Sequence, residues 1–189
     1  IFTMSNIYDQ DFIDYIPNFL PEGEFNLLEK QIQTIKWDFN SFALNDKNEN
    51  KFNKSCNYTF MDENKAVKNF NNFIISKLNI LYDTEFMPHN AYFNSYQYGN
   101  EMEIHTDRVT KLNFNRTVIL YINSCSFWDI GWGGQTLIFN KDKNKILNSS
   151  IPFRNSLLVF DGLLPHGMAP LSRNCFEQRI VLVYQTEIK

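Results

Sequence analysis

The chain has 189 residues, of which 43% are hydrophobic and 16% aromatic, with 18 Phe among them. This composition predicts a packed globular protein with a sizeable core and excludes a disordered chain. The net charge of −3, without a large cluster of Lys or Arg, argues against nucleic acid as a partner, and no apolar run has the length of a membrane span.

The cysteines are few and do not form a pattern. Cys56, Cys125 and Cys175 are odd in number, and none belongs to a C-x-x-C pair. A disulfide framework or a structural zinc site is therefore not expected. The first residues, from Ile1 to Met4, lack the basic segment and apolar core of a signal peptide. We therefore expect a reducing, cytoplasmic location.

The N-terminal part of the chain predicts a strand, a turn and a helix. Residues 5–20 mix apolar and acidic side chains and favour a strand that ends in a turn before Pro21. A helix is predicted over about 21–36, with Pro21 at its first position. Its apolar positions follow helical spacing: Phe25, Leu28, Ile32 and Ile35.

A polar segment separates this helix from a second one. Residues 38–57 have no periodicity and read either as a solvated loop or as a mobile flap near a site. The second helix is predicted over about 62–81, with Asp62 or Asn64 as its cap. Its apolar stripe comprises Val67, Phe70, Phe73, Ile74 and Leu78.

The remainder of the chain, about 88–187, predicts short strands joined by turns. The predicted strands cover residues 91–98, 116–123, 133–139, 157–160 and 179–186. Because no helix intervenes, an antiparallel sandwich or barrel is expected. The predicted fold class is mainly β with flanking helices, organised as one domain over 1–189.

His105 and Asp107 begin a candidate metal site. They stand two residues apart in Glu103-Ile104-His105-Thr106-Asp107, and residues i and i+2 of a strand point to the same face. An imidazole and a carboxylate side by side suit one cation. A lone H-x-D tripeptide is weak evidence, however, because such pairs occur by chance.

A third ligand is available in His166, which follows a predicted buried strand and a Gly/Pro turn. Two imidazoles and one carboxylate form the facial triad of non-haem Fe(II) oxygenases. The alternative for His166 is a turn histidine bonded to the backbone. His89, the remaining histidine, is interpreted as lying outside the site.

Arg179 opens the last predicted strand and needs an anionic partner if it is buried. The partner is either a protein carboxylate, Glu177 or Glu187, or the carboxylate of a small molecule held by the guanidinium. Tyr121 offers a hydroxyl that could share such a carboxylate, although a strand tyrosine is ordinarily a core residue.

The order of these features resembles the 2-oxoglutarate- and Fe(II)-dependent dioxygenases, in particular their prolyl 4-hydroxylase-like branch. The resemblance extends over about 92–186. Its landmarks are Tyr96-Gln97-Tyr98-Gly99 before His105-Thr106-Asp107, Thr117-Val118-Ile119-Leu120-Tyr121-Ile122-Asn123, Trp132-Gly133-Gly134-Gln135-Thr136, Asn155 to Phe160 leading to Pro165-His166, and Arg179. Each is similar to a landmark of that family, and their combined order is specific.

This resemblance implies a double-stranded β-helix, or jelly roll, with helices on its outer face. It implies His105, Asp107 and His166 as Fe(II) ligands, with O2 as oxidant. Arg179 would then bind the distal carboxylate of the cosubstrate 2-oxoglutarate, assisted by Tyr121. Tyr96 matches a family tyrosine near the other end of that cosubstrate.

The chain also departs from the family pattern. Met102 stands where many relatives carry a tyrosine, and the spacing from His166 to Arg179 is longer than usual. The long spacing makes Arg173 a competing carboxylate binder, but Arg179 is preferred because a strand follows it. Trp128 and Trp132 flank the Gly-Gly turn and either line a peptide groove or cap the end of the sandwich.

The resulting hypothesis is a hydroxylase that couples oxidative decarboxylation of 2-oxoglutarate to hydroxylation of a substrate, with a prolyl residue in a peptide or protein as the first expectation. Two alternatives stay open. One is a cupin-like metalloenzyme that does not use 2-oxoglutarate. The other is a non-catalytic jelly roll that binds a peptide or a sugar.

Overall fold

Two antiparallel sheets form the centre of the computed structural model, which describes residues 6–34, 37, 65–100, 102–107 and 115–189. The helices and strands, in chain order, are β1 (Ile13–Ile16), α1 (Glu22–Ile32), α2 (Lys65–Tyr82), β2 (Phe86–Tyr96), β3 (Met102–His105), β4 (Asn115–Tyr121), β5 (Thr136–Phe139), β6 (Ile146–Ser150), β7 (Leu157–Asp161), β8 (His166–Met168) and β9 (Arg179–Ile188). A 3-10 turn (Ile130–Trp132) precedes β5.

The larger sheet has the strand order β1-β7-β4-β9-β2, and the smaller sheet has the order β3-β8-β5-β6. Every residue of β4 and of β7 is buried. Strands covered on both faces are rich in apolar residues throughout, which explains why these two lacked alternation in the sequence. The predicted mainly β jelly roll with flanking helices is confirmed.

The two helices share one apolar core with the larger sheet. Phe25, Leu28 and Ile32 of α1 and Ile74 and Leu78 of α2 are buried in the same cluster as residues of the central strands. The apolar stripes predicted from helical spacing therefore mark the faces that pack. The opposite face of the larger sheet contributes to a second hydrophobic cluster, which also contains residues of the smaller sheet.

The helix boundaries differ from the predicted ones. Pro21 is the N-cap of α1 and not its first helical residue, because its ψ of 144° is extended while its carbonyl accepts a hydrogen bond from the Phe25 amide at 3.0 Å. Helix α2 ends at Tyr82. The polar segment 38–57 and the caps proposed at Asp62 and Asn64 lie outside the described residues.

Strand β2 is longer at its start than the sequence indicates. It begins at Phe86 and pairs with β9 along its length, with a shift of register between Pro88 and Asn90. It ends at Tyr96, before a turn in which the Asn100 amide donates to the Gln97 carbonyl at 2.9 Å. Strands β6 and β8 were not predicted, because β8 has three residues and β6 is largely exposed.

In the part of the chain that the structure describes, no helix combines the length and the apolar character needed to cross a membrane.

Candidate active site

Strand pairing in the smaller sheet brings two histidines together. His105 at the end of β3 is the register partner of His166 at the start of β8, and their ring centroids are 4.4 Å apart. The strands approach closely at Gly167, where a Cβ would lie 2.9 Å from the carbonyl oxygen of Met102. A side chain at this position would therefore push the two histidines apart.

Asp107 joins the histidines from outside the strand. Strand β3 ends at His105, so the prediction that His105 and Asp107 share one strand is wrong. The Asp107 amide instead donates to the Gly162 carbonyl at 2.8 Å, which anchors the chain to the loop after β7. A Cβ on Gly162 would lie 3.2 Å from the Asp107 carbonyl oxygen, so a glycine suits this contact.

The three side chains form a compact group of metal-binding atoms. One ligand atom from each of His105, Asp107 and His166 lies within 4.8 Å of the others. The Nε2 atom of His105 is 3.5 Å from Asp107 Oδ1, and that of His166 is 3.3 Å from Asp107 Oδ2. Two nitrogens and a carboxylate on converging side chains are a donor set suited to a divalent transition metal.

The hydrogen bonds of the two imidazoles leave the correct nitrogens free. Nδ1 of His105 lies 2.8 Å from the Glu103 carbonyl oxygen, and Nδ1 of His166 lies 2.9 Å from that of Leu164. Since a carbonyl only accepts, each Nδ1 donates its proton, and in the neutral form of each ring Nε2 then carries the lone pair that a metal requires. Metal-binding histidines characteristically have such a backbone partner.

Asp107 is buried but remains ionised. Burial opposes its charge, but the facing His105 and His166 outweigh burial and hold the pKa of Asp107 well below its usual range. Burial by itself would lower the pKa of His105, but the neighbouring Asp107 carboxylate outweighs burial and raises this pKa above its usual value. The cluster is therefore electrostatically coupled, with an anionic oxygen available at neutral pH.

Two further side chains hold Asp107, and the sequence interpretation missed both. Thr117 Oγ1 donates to Asp107 Oδ2 at 2.8 Å, and Gln185 Nε2 donates to Asp107 Oδ1 at 2.7 Å. Strand alternation gives only a partial signal, since it places Gln185 on the face of Arg179 in β9 and Thr117 on the face of Tyr121 in β4. The contacts with Asp107 depend in addition on the pairing register of the strands.

Arg179 is the first residue of β9 and is only 1% exposed. Its Nη2 donates to Thr136 Oγ1 at 2.8 Å, while its Nε has no hydrogen-bond partner among the residues that the structure describes. None of the described carboxylates pairs with it, so the alternative of an ion pair with Glu177 or Glu187 is wrong. Glu177 contacts Ser124, and Glu187 contacts His89.

The metal-binding group and Arg179 line the same pocket. It lies between the two sheets, and its walls include His105, Asp107, His166 and Arg179. The rest of the lining comprises Tyr92, Asn94, Tyr96, Met102, Thr117, Ile119, Val181 and Val183. A small anion bound to Arg179 in this pocket would therefore face the three metal-binding side chains.

The two predicted tyrosines occupy different positions. Tyr96 lines the pocket, and its hydroxyl accepts from Asn94 Nδ2 at 2.9 Å. Tyr121 lies behind Arg179, with its hydroxyl 2.7 Å from Thr136 Oγ1. The Arg179 guanidinium carbon is 5.3 Å from the Tyr96 ring centroid and 5.4 Å from that of Tyr121. Burial raises the pKa of Tyr96, and raises that of Tyr121 to about 12.

The competing arginine and the two tryptophans lie elsewhere. Arg173 is exposed on the segment between β8 and β9. Trp128 and Trp132 are 4% and 6% exposed and pack edge to face at 5.3 Å. Trp128 Nε1 also donates to the Gly133 carbonyl at 2.9 Å. The structure thus places both indoles in the core, and a role for them in binding a substrate stays a prediction.

A family model described as the 2OG-Fe(II) oxygenase superfamily matches residues 91–184, about half of the chain. The chain belongs to this superfamily. The matched range contains His105, Asp107, His166 and Arg179, together with Tyr96 and Tyr121. This superfamily comprises 2-oxoglutarate-dependent dioxygenases, which use Fe(II), 2-oxoglutarate and O2.

Solved structures with the same fold cover most of the oxygenase chain. A prolyl hydroxylase from Trichoplax adhaerens, in complex with a hypoxia inducible factor oxygen degradation domain peptide fragment, has 19% identity and a TM-score of 0.69, covering 97% of this chain and 89% of its own. A Pseudomonas putida prolyl-4-hydroxylase has 17% identity and a TM-score of 0.60, covering 97% of each chain.

A third structure, the viral collagen prolyl hydroxylase of Paramecium Bursaria Chlorella virus-1 in its 2OG complex, has 15% identity and a TM-score of 0.61, and covers 93% of this chain and 95% of its own. At these identities the likeness establishes the fold alone. The search of curated proteins found no match.

The residues of this oxygenase fit the groups that its family uses. The converging Nε2 and carboxylate atoms of the triad could provide three ligands for Fe(II), and the three side chains line the pocket. The buried Nε of Arg179, which no described residue pairs, fits a small-molecule carboxylate. The fit for both groups thus rests on separate features of the same pocket.

Proposed function

We propose that the chain is a hydroxylase in which His105, Asp107 and His166 hold Fe(II) and Arg179 holds 2-oxoglutarate. The observation that carries this proposal is a buried guanidinium without a carboxylate partner in the described residues, placed in the same pocket as the triad. An unpaired buried cation is costly unless a ligand brings the opposite charge.

When bound, Fe(II) and 2-oxoglutarate supply the oxidising chemistry: O2 is consumed, 2-oxoglutarate is converted to succinate and CO2, and a substrate C–H becomes C–OH. The protein supplies geometry and charge. Arg179 orients the distal carboxylate, since a guanidinium can donate two parallel hydrogen bonds to it. Tyr121 and Thr136 hold Arg179 in place, because both hydroxyls lie in one hydrogen-bonded group with its Nη2.

The pocket walls reduce the contact of bound groups with water. Ile119, Val181 and Val183 line it with apolar surface, and Tyr96 adds an aromatic ring to the lining. In such surroundings the attraction between Arg179 and an anion is stronger than in water. This property favours the hydroxylase over a cupin-like metalloenzyme without 2-oxoglutarate and over a non-catalytic module, neither of which needs a buried cation here.

The proposed substrate is a prolyl residue in a peptide or protein. Support comes from the structural neighbours, three of which are named prolyl hydroxylases, and one of these holds a peptide fragment. The sequence resemblance to the prolyl 4-hydroxylase-like branch points the same way.

Anaerobic titration tests the metal and cosubstrate together. Adding Fe(II) and then 2-oxoglutarate is expected to produce a weak visible absorption band from the metal–cosubstrate chelate. Absence of the band would contradict the proposal. Retained metal binding without a band would instead support the cupin-like alternative, and absence of both would support a binding module.

Succinate release tests turnover and substrate class. The assay compares proline-containing peptides, free amino acids and protein from a whole lysate, each with Fe(II), 2-oxoglutarate and O2. Release that depends on a proline-containing peptide, and is lost when its prolines are replaced by alanine, is expected. Equal stimulation by the proline-free peptide would reject a prolyl substrate.

A further inference from the structure

A row of polar side chains crosses the larger sheet beside Asp107. Asn90 of β2 is the register partner of Gln185 of β9, and Gln185 is in turn the partner of Thr117 of β4. Directly opposed residues on neighbouring strands point to the same face. Because Thr117 lines the pocket and Gln185 contacts Asp107, that face is the one turned toward the candidate metal centre.

The hydrogen bonds along this row run in one direction. Asn90 Nδ2 donates to Gln185 Oε1 at 2.8 Å, and Gln185 Nε2 donates to Asp107 Oδ1 at 2.7 Å. The orientation of the Gln185 amide follows from chemistry, since an ionised carboxylate only accepts. Its NH2 group must face Asp107, so its oxygen must face Asn90.

Thr117 completes the arrangement from the other side. Its hydroxyl donates to Asp107 Oδ2 at 2.8 Å, so each carboxylate oxygen receives one hydrogen bond from the polar row. Each oxygen also faces one imidazole, with Oδ1 toward His105 and Oδ2 toward His166. The plane of the carboxylate is thereby defined by contacts on both sides.

A β-bulge sets the position of Asn90 in the row. The register of β2 against β9 passes from Pro88 opposite Thr186 directly to Asn90 opposite Gln185, which leaves His89 as the extra residue. Bulges beside active sites commonly redirect a side chain. If β2 had no bulge and Pro88 still paired with Thr186, His89 instead of Asn90 would lie opposite Gln185.

We propose that Gln185 is a positioning residue for Asp107: supported by Asn90 and acting together with Thr117, it fixes the plane of the carboxylate before the metal binds. This inference rests on the proposed function of Asp107 as a metal ligand. A carboxylate that is already oriented loses little rotational freedom on binding, and its fixed plane favours one metal geometry. Loss of such an outer partner typically weakens metal binding by about 10–100-fold.

Metal affinity of the otherwise intact protein tests the inference without depending on activity. Mn(II) is titrated into the metal-free protein, and free Mn(II) is measured by EPR. Gln185→Met keeps the length of the side chain and removes its donor, and a loss of affinity of about 10–100-fold is expected. Asn90→Ala leaves the donor in place but unsupported, so a smaller loss is expected.

Matched variants separate the hydrogen bond from general disturbance. Thr117→Val removes the second donor and is expected to weaken Mn(II) binding. Thr117→Ser keeps a hydroxyl and is expected to bind Mn(II) nearly as tightly as the wild type. Gln10→Met makes the same change at an exposed glutamine and should leave affinity unchanged. Thermal denaturation of each metal-free variant checks that the fold is retained.

The Mn(II) titrations distinguish failure of the positioning role of Gln185 from failure of the proposed function. If wild-type protein binds Mn(II) and Gln185→Met binds it equally well, the positioning role is wrong while the proposed function stands. A lower melting temperature with unchanged affinity would likewise overturn it, since Gln185 would then be structural only. If the wild-type protein binds no metal, the proposed function fails and the inference fails with it.

Discussion

The buried guanidinium of Arg179 donates a 2.8 Å hydrogen bond from Nη2 to the hydroxyl of Thr136. In the described part of the chain its Nε has no hydrogen-bond partner, and the neighbouring Tyr96 and Tyr121 offer ring faces instead of full negative charges. Burial lowers the pKa of Arg179, which reflects the cost of a charge held out of water. The protein therefore retains an unfavourable charge that an anionic ligand would neutralise.

Arg179→Ala is expected to weaken binding of 2-oxoglutarate to the Mn(II)-loaded protein by roughly 10–150-fold, because charge-assisted hydrogen bonds contribute about 1.5–3 kcal/mol. Isothermal titration calorimetry measures the affinity. Arg179→Lys is expected to be intermediate, since an ammonium keeps the charge but lacks the planar pair of donors.

Arg173→Ala is the matched control for this prediction. Arg173 is exposed on the segment before β9, and its removal should leave the affinity for 2-oxoglutarate unchanged. The opposite pattern, with normal binding in Arg179→Ala and loss in Arg173→Ala, would assign the carboxylate to Arg173.

His105→Ala is expected to lower Mn(II) affinity by more than about 100-fold, since removing a direct ligand costs more than removing an outer partner. His89→Ala is the control, because His89 lies 3.6 Å from Glu187 and is not one of the three clustered side chains. Metal content after dialysis, determined by atomic absorption, gives a second measurement. Undiminished metal in His105→Ala would exclude this histidine as a ligand.

The triad shows how much of a site the sequence can predict. His105, Asp107 and His166 were proposed together from residue type and order, and the structure places their ligand atoms in one cluster. The reason given for the first pair was wrong, because β3 ends at His105 and Asp107 is held by the Gly162 carbonyl. Residue chemistry identified the candidates, whereas their convergence depends on contacts between distant segments.

The polar row could not be predicted in the same way. The contact between Gln185 and Asp107 requires the register of β9 against β4, and that between Gln185 and Asn90 requires a bulge at His89. Neither register nor bulge has a signature in one sequence, because both are set by pairing across the sheet. Helical stripes such as Phe25 and Leu28 were readable because they depend on local periodicity alone.

Gly134→Ala is expected to disturb the wall behind Arg179. Gly134 has a φ of +73°, and a Cβ there would lie 2.8 Å from Leu171 Cδ2 and 3.3 Å from both Arg179 Cδ and Trp128 Cζ2. We expect a loss of about 1–3 kcal/mol in the free energy of unfolding, from crowding in a packed region, together with weaker binding of 2-oxoglutarate.

Gly99→Ala separates the effect of crowding from that of backbone conformation. Gly99 has a φ of +82°, but no atom of the described residues lies within 4 Å of its hypothetical Cβ. This variant should therefore show the cost of the left-handed backbone without a change in 2-oxoglutarate affinity. Urea denaturation measures stability for both variants. Equal affinities in Gly134→Ala and wild type would show that Arg179 tolerates the added methyl group.

Tyr82 provides a test at alkaline pH that does not involve the pocket. Its hydroxyl donates to Asp14 Oδ2 at 2.8 Å, and burial, followed by the charge of Asp14, raises the pKa of Tyr82. Because the pKa is higher in the folded than in the unfolded chain, the contribution of Tyr82 to stability is complete below about pH 10. It is lost as the pH rises above that value and the unfolded chain ionises.

Tyr82→Phe is therefore expected to lower the free energy of unfolding by about 1.5–3 kcal/mol at neutral pH, through loss of a hydrogen bond to a charged group. Above pH 10 the difference in free energy of unfolding between wild type and variant should shrink. Tyr82 then ionises in the unfolded wild-type chain and stabilises that state, whereas phenylalanine does not ionise. Urea denaturation at a series of pH values measures this, with the exposed Tyr98→Phe as a control that should match wild type throughout. A difference that stays constant from neutral pH to pH 11 would mean that Tyr82 ionises equally readily in both states, in contradiction to its burial beside Asp14.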